Sequence, residues 1–263
     1  MTLAVIPSRY GSKRFNGKPL ALVAGKPMIQ RVYDQATKAG SINRVVVATD
    51  DDRIYDTVIA FGGEAVMTAS DLRSGTDRVW EACQQFCTDD NEVIINIQGD
   101  QPVFSPECLD QLTAPFNADP TLNMSTLALE ITDSRDLTDP SAVKVTLDRK
   151  GFALYFSRSQ IPFPRDGKSQ IPTYRHLGFY AYRKSFLKTF TQLGESLLEN
   201  TEKLEQLRLI ENGIPIHVVE TTLTSIGVDR PEDIAKVSNI GIDTYITGFN
   251  CKTNKNFFTA LLR

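Results

Sequence analysis

Leu3-Ala4-Val5-Ile6-Pro7-Ser8-Arg9-Tyr10-Gly11-Ser12-Lys13-Arg14-Phe15-Asn16-Gly17-Lys18-Pro19-Leu20 changes character after its first five residues. Those five are a short apolar run ending in polar residues and glycine, the signature of a buried strand. The loop that follows carries four cations, Arg9, Lys13, Arg14 and Lys18, among two glycines and two serines. In open α/β sheets ligands bind at the carboxyl ends of the strands, where such a loop would lie. Glycines let backbone amides approach an anion, while arginine forks and a lysine ammonium neutralise phosphate oxygens. The spacing matches neither the Rossmann fingerprint nor the Walker loop. The position of the loop, more than its composition, favours polyphosphate binding over a merely solvated basic turn.

The strand signature recurs at Arg44–Thr49, 64–67 and 92–98. Helical spacing fills the intervals: 27–39, with Met28, Val32, Ala36 and Ala39 on one face, then 52–61 and 76–86. This alternation predicts a mostly parallel, doubly wound α/β sheet with helices on both faces. From about residue 120 the rhythm changes. Strands are expected at 124–131, 142–147, 152–156 and 177–182, forming an antiparallel insertion over about 120–185 in the same domain. A helix at 202–211, a strand at 214–220 and a helix after Asp229-Arg230-Pro231 resume the first pattern. The expected organisation is one α/β domain over 1–240 and a C-terminal extension over 241–263.

Composition narrows the function. The 263 residues hold 29 Lys+Arg and 32 Asp+Glu, a net charge of −3, which argues against a broad nucleic-acid footprint. No apolar run approaches the ~20 residues that span a bilayer. The N-terminal residues lack the charged and apolar regions of a signal peptide, so a cytoplasmic protein is expected. Cys83, Cys87, Cys108 and Cys251 suggest no zinc quartet or disulfide framework. His176 and His217 are the only histidines, which excludes a histidine-rich metal site.

Gln98-Gly99-Asp100-Gln101-Pro102 follows an apolar strand, so Asp100 emerges at the same sheet edge as the basic loop. A carboxylate beside phosphates suits Mg²⁺, a hard cation that keeps several waters. Asp229, in Gly227-Val228-Asp229-Arg230-Pro231-Glu232-Asp233, is either a second metal ligand or an ordinary helix cap. Helix capping accounts for Asp50-Asp51-Asp52. Ser74-Gly75-Thr76-Asp77-Arg78 opens a helix whose amides suit an anion or a base edge. His176 reads first as structural, and Glu205 and Gln206 as polar members of a helix whose Leu204 and Leu207 face the core.

Taken together, these segments resemble the 3-deoxy-manno-octulosonate cytidylyltransferases over about residues 3–237. The resemblance is carried, in order, by Arg9, Arg14 and Gly17-Lys18-Pro19-Leu20, then Val47-Ala48-Thr49-Asp50, Ser74-Gly75-Thr76 with Arg78, and Gln98-Gly99-Asp100. Ala153-Leu154-Tyr155-Phe156-Ser157-Arg158 with Ile161-Pro162, Arg175-His176-Leu177-Gly178, Leu204-Glu205-Gln206-Leu207-Arg208 and Val228-Asp229 with Pro231-Glu232-Asp233 complete it.

The resemblance implies a cytosolic homodimer that makes CMP-Kdo and pyrophosphate from CTP and Kdo with Mg²⁺, for lipopolysaccharide synthesis. It implies that Arg9, Arg14 and Lys18 hold the triphosphate, that Asp100 and Asp229 bind the metal, and that Ser74 and Arg78 select cytosine. Arg9, Lys18, Asp100 and Asp229 would form the catalytic set. Gln98, His176, Glu205, Gln206 and Arg158 would line the sugar-acid pocket, and the antiparallel insertion would form the dimer contact. No nucleic acid or membrane partner is implied. Two residues depart from the family pattern: Gln101 stands where glutamate is usual, and Asn16 where proline is. Gln101 also resembles the branch that acts on 8-amino-3,8-dideoxy-Kdo, which leaves that sugar as an alternative substrate. A catalytically inactive nucleotide-binding copy is a further alternative.

Overall fold

A computed structural model describes residues 1–11, 15–167 and 171–239. The expected C-terminal extension, Lys13 and Arg14 lie outside the described residues. β1 (Thr2–Ser8) runs through the centre of the main sheet. Leu3 and Val5 face one hydrophobic layer while Ala4 and Ile6 face the other, and all four are fully buried. That two-sided burial is why the strand reads as an unbroken apolar run.

After a 3₁₀ turn (Lys18–Leu20), β2 (Leu22–Val23) and β3 (Lys26–Pro27) form a small hairpin leading into α1 (Met28–Ala36). β4 (Arg44–Thr49), α2 (Asp52–Ala60), β5 (Ala65–Met67), α3 (Gly75–Cys83) and β6 (Val93–Asn96) follow. β4 and β6 flank β1, and β5 lies outside β4, all parallel. Helices cover both faces: α1 and α2 pack on the Ala4–Ile6 side, and α3 on the Leu3–Val5 side. The doubly wound half thus follows the sequence pattern closely.

The later half is β7 (Val103–Phe104), α4 (Glu107–Ala118), β8 (Met124–Glu130), α5 (Ser134–Thr138), β9 (Lys144–Leu147), β10 (Ala153–Ser157) and β11 (Tyr174–Arg183). α6 (Lys184–Gln192), α7 (Leu197–Glu202), α8 (Leu207–Glu211), β12 (His217–Thr221), β13 (Ser225–Ile226) and α9 (Pro231–Asn239) complete it. β11 pairs antiparallel with β6, β8 and β9, so the antiparallel strands continue the parallel sheet. β12 returns parallel to β8. The sheet is therefore mixed.

Two details matter for the site. The β11–β8 register shifts between His176 and Tyr180, where Gly178 has φ +79°. The single helix expected over 202–211 is instead α7 and α8 separated by a turn. Lys203, in the left-handed conformation (φ 54°, ψ 49°), ends α7. Glu205 and Gln206 consequently sit in the turn rather than along a helical face.

Candidate active site

Gly17 at φ +71° turns the basic loop back, and its N–H donates to Tyr10 O at 2.9 Å. A Cβ there would lie 3.1 Å from the Tyr10 hydroxyl, so both backbone and space call for glycine. The turn delivers Lys18, whose Nζ lies 2.7 Å from Asp100 Oδ2 and 3.6 Å from Asp229 Oδ1. Its side chain is 11% exposed, whereas those of Asp100 and Asp229 are 38% and 49% exposed. Both carboxylates thus reach one buried ammonium at the mouth of the sheet.

Asp229 is brought there by backbone pairing. β13 pairs antiparallel with β7, and the Val228 N–H donates to Asp100 O at 2.8 Å. Asp233, in the first turn of α9, reaches back to the same stretch: its Oδ2 accepts from the Asp229 and Arg230 N–H groups at 3.1 and 3.0 Å. Among the described residues, no group of three or more potential ligands assembles. Two hard carboxylates are nonetheless a suitable donor set for Mg²⁺ when phosphates and water supply the rest.

The first turn of α3 forms the next wall. Ser74 caps it, accepting from the Asp77 N–H at 3.1 Å, and Arg9 Nη2 donates to the carbonyls of Leu72 and Ser74. Arg78 is fully buried, donating to Asp50 Oδ2 at 2.8 Å and to the Thr68 hydroxyl. Burial lowers its pKa, and its Nε has no partner. Asp50 therefore holds Arg78, and the helix cap in the acidic triplet is Asp51 alone.

A cavity of about 330 Å³ opens between this turn and the α7–α8 turn, with Ser74, Arg73, Lys203, Glu205 and Arg208 in its wall. Glu205 Oε2 accepts from the Thr76 hydroxyl at 2.6 Å, while its Oε1 has no hydrogen-bond partner. Burial raises the Glu205 pKa, against the lowering effect of the Thr76 and Ser74 hydroxyls. Gln206 is 4% exposed, and its Nε2 is likewise unpartnered.

Gln98 and Gln101 lie against Gly178, where a Cβ would be 3.8 Å from Gln98 Cγ and 3.6 Å from Gln101 Nε2. Gln101 uses both ends of its amide, donating to Leu177 O at 2.7 Å and accepting from the Ser225 hydroxyl at 3.2 Å. His176 is buried, with Nε2 2.8 Å from the Thr126 hydroxyl and its ring against Phe156 and Tyr180. Desolvation pushes its pKa down to about 3, so it is neutral at ordinary pH. Arg158 is a brace, with its guanidinium donating to the carbonyls of Glu202, Pro140 and Lys203.

The basic loop, the two carboxylates and the α3 wall share one end of the sheet, as nucleotidyl transfer requires. A family model described as cytidylyltransferase matches residues 3–221. The chain belongs to the cytidylyltransferase family. It is 54% identical to the 3-deoxy-manno-octulosonate cytidylyltransferase of Desulfatibacillum aliphaticivorans over 235 residues, 89% of this chain and 96% of that one. It is 48% identical to the 8-amino-3,8-dideoxy-manno-octulosonate cytidylyltransferase of Shewanella sp. strain W3-18-1, over 235 residues with the same two coverages. The solved CMP:2-keto-3-deoxy-manno-octonic acid synthetase complexed with CTP superposes with a TM-score of 0.85 at 43% identity, covering 91% of this chain and 97% of that one.

This enzyme therefore has the nucleotidyltransferase fold and class expected from its motifs. Sequence reasoning gave no separate role to Thr76 or Tyr182. Thr76 sits two residues beyond the helix cap Ser74, and that position was the available signal.

Proposed function

We propose that the enzyme transfers the cytidylyl group of CTP to Kdo, forming CMP-Kdo and pyrophosphate in the cytoplasm. The observation that carries this reading is Lys18, set between Asp100 and Asp229 at the end of the basic strand-loop. The anomeric oxygen of the sugar acid would attack the α-phosphorus in line as the bond from that phosphorus to the pyrophosphate oxygen breaks, and the hydroxyl proton would pass to solvent water. Such a step needs positioning and charge neutralisation rather than a covalent nucleophile.

Lys18, with Arg9 and Arg14, would neutralise the triphosphate. Asp100 and Asp229 would hold Mg²⁺, which supplies charge stabilisation at the phosphate oxygens when bound. Ser74 would contact the base directly. Arg78, behind the wall and fixed by Asp50, would keep that wall in place. Glu205 Oε1 and Gln206 Nε2 are an unpartnered acceptor and donor on adjacent residues, a match for sugar hydroxyls. Gln98 would approach the same sugar acid from beside Gly178. His176 would support that pocket as a neutral ring, and Arg158 would brace it through three backbone carbonyls. A homodimer through the antiparallel insertion is supported by Leu154 on the terminal strand β10 and by nearby Phe163, which are 58% and 81% exposed.

Pyrophosphate release with CTP and Mg²⁺, run with Kdo and 8-amino-Kdo side by side, tests the proposal. Faster turnover of Kdo is expected. Preference for the amino sugar would reassign the acceptor, and no release with either would make the chain a binding protein only.

A further inference from the structure

Glu205 is reached from the helix that opens the nucleotide wall. Thr76, in the first turn of α3 and 2% exposed, donates to Glu205 Oε2 at 2.6 Å. The wholly buried Tyr182 of β11 lies beside Thr76 and beside Asn96 of β6. Ser74, the cap of the same turn, shares the cavity wall with Glu205. Arg208 Nη2 is 3.9 Å from Oε1 and is committed to Glu199, at 2.6 Å from Glu199 Oε1. Glu205 lies in the turn between α7 and α8, and Thr76 is the one side chain seen to donate to its carboxylate among the described residues.

We propose that Thr76 is a positioning residue for the acceptor sugar acid: it anchors one oxygen of Glu205 so that the other faces the substrate. The inference rests on the reading of Glu205 as part of the sugar-acid pocket. The Thr76 hydroxyl is already given to Glu205 Oε2, so Thr76 acts through that carboxylate. Its β-branched side chain has restricted rotamers. The same helical turn that presents Ser74 to the nucleotide thereby fixes a group for the acceptor.

Steady-state kinetics of Thr76→Val and Thr76→Ser with CTP, Mg²⁺ and Kdo test this, with melting curves on each variant. Thr76→Val keeps the shape and deletes the hydroxyl. Its KM for Kdo should rise about tenfold, as for loss of a hydrogen bond to a charged group. Its KM for CTP should stay within about twofold, and Thr76→Ser should restore both constants. Combining Thr76→Val with Glu205→Gln should cost little beyond Glu205→Gln alone, because the two act as a unit. Unchanged KM for Kdo in folded Thr76→Val, equal losses for both substrates, or fully multiplicative effects in the double variant would each overturn the proposal. If Thr76→Val does not fold, Thr76→Ala carries the same comparison. A wild-type enzyme active on CTP and Kdo alongside an unaffected Thr76→Val sinks this inference alone. A wild type inactive on both sugar acids sinks it together with the reading beneath it.

Discussion

Lys18 answers to two carboxylates at once, and its charge is what lets Asp100 and Asp229 lie close together without substrate. Removing either acid should cut turnover about a hundredfold or more while leaving melting nearly unchanged, since both are partly exposed. Near-normal rates in Asp100→Ala or Asp229→Ala would remove that residue from the proposed metal site. Gln101 makes a different kind of prediction. Its amide donates to Leu177 O, and a glutamate carboxylate there would face a carbonyl with no proton to offer. Gln101→Glu should therefore cost about 1–3 kcal/mol at alkaline pH. The loss should shrink in acid, where a protonated carboxyl donates again; equal melting losses at both pH values would refute this account. Asp100 and Lys18 were legible in the sequence because each ends a recognisable strand-loop. The role of Gln101 was not, because its partner is a carbonyl exposed by a bulge that no side-chain pattern announces.

Elements set these contacts through their ends. Gly178, at φ +79° within the irregular stretch of β11, allows the strand to lie against Gln98 and Gln101. Alanine there would hold a left-handed backbone at about 1–2 kcal/mol. Gly178→Ala should lower the melting temperature by a few degrees and raise KM for the sugar acid more than for CTP. Equal kinetic effects would show that the bulge does not shape the acceptor side. The parallel strands were readable because both faces are buried, which writes continuous apolar runs such as 3–7 into the chain. The break between α7 and α8 was hidden because Leu204 and Leu207 are both buried and keep a helical spacing across it. Only the conformation of Lys203 interrupts the helix, and lysine carries no turn signal. α6 escaped notice for a similar reason: Phe186, Leu187 and Phe190 are buried, but no capping side chain marks where it begins.

At the scale of the whole molecule, pH and assembly can be predicted. His176 is neutral in the fold, with a pKa lowered to about 3, and protonates near its ordinary value of 6.5 when unfolded. Below about pH 6.5 the unfolded state binds the extra proton, so stability should fall as pH drops toward 3 and then level off as far as this residue is concerned. Melting temperatures from neutral to acid pH should decline less in His176→Gln; parallel curves would mean that the histidine contributes nothing to acid sensitivity. If the insertion forms the dimer contact, Leu154→Glu combined with Phe163→Glu should give monomers by light scattering, and an unchanged dimer would move the interface elsewhere.

The pairing of β13 with β7 joins a late part of the chain to an earlier one. As the polypeptide leaves the ribosome, β1, β4, β5 and β6 can pair before β13 is made, because domains form from the N-terminal side as synthesis proceeds. The scaffold thus precedes the chemistry: a nascent chain can own most of its sheet and still lack Asp229. Refolding in solution should follow the same logic, with far-UV circular dichroism returning ahead of enzymatic activity.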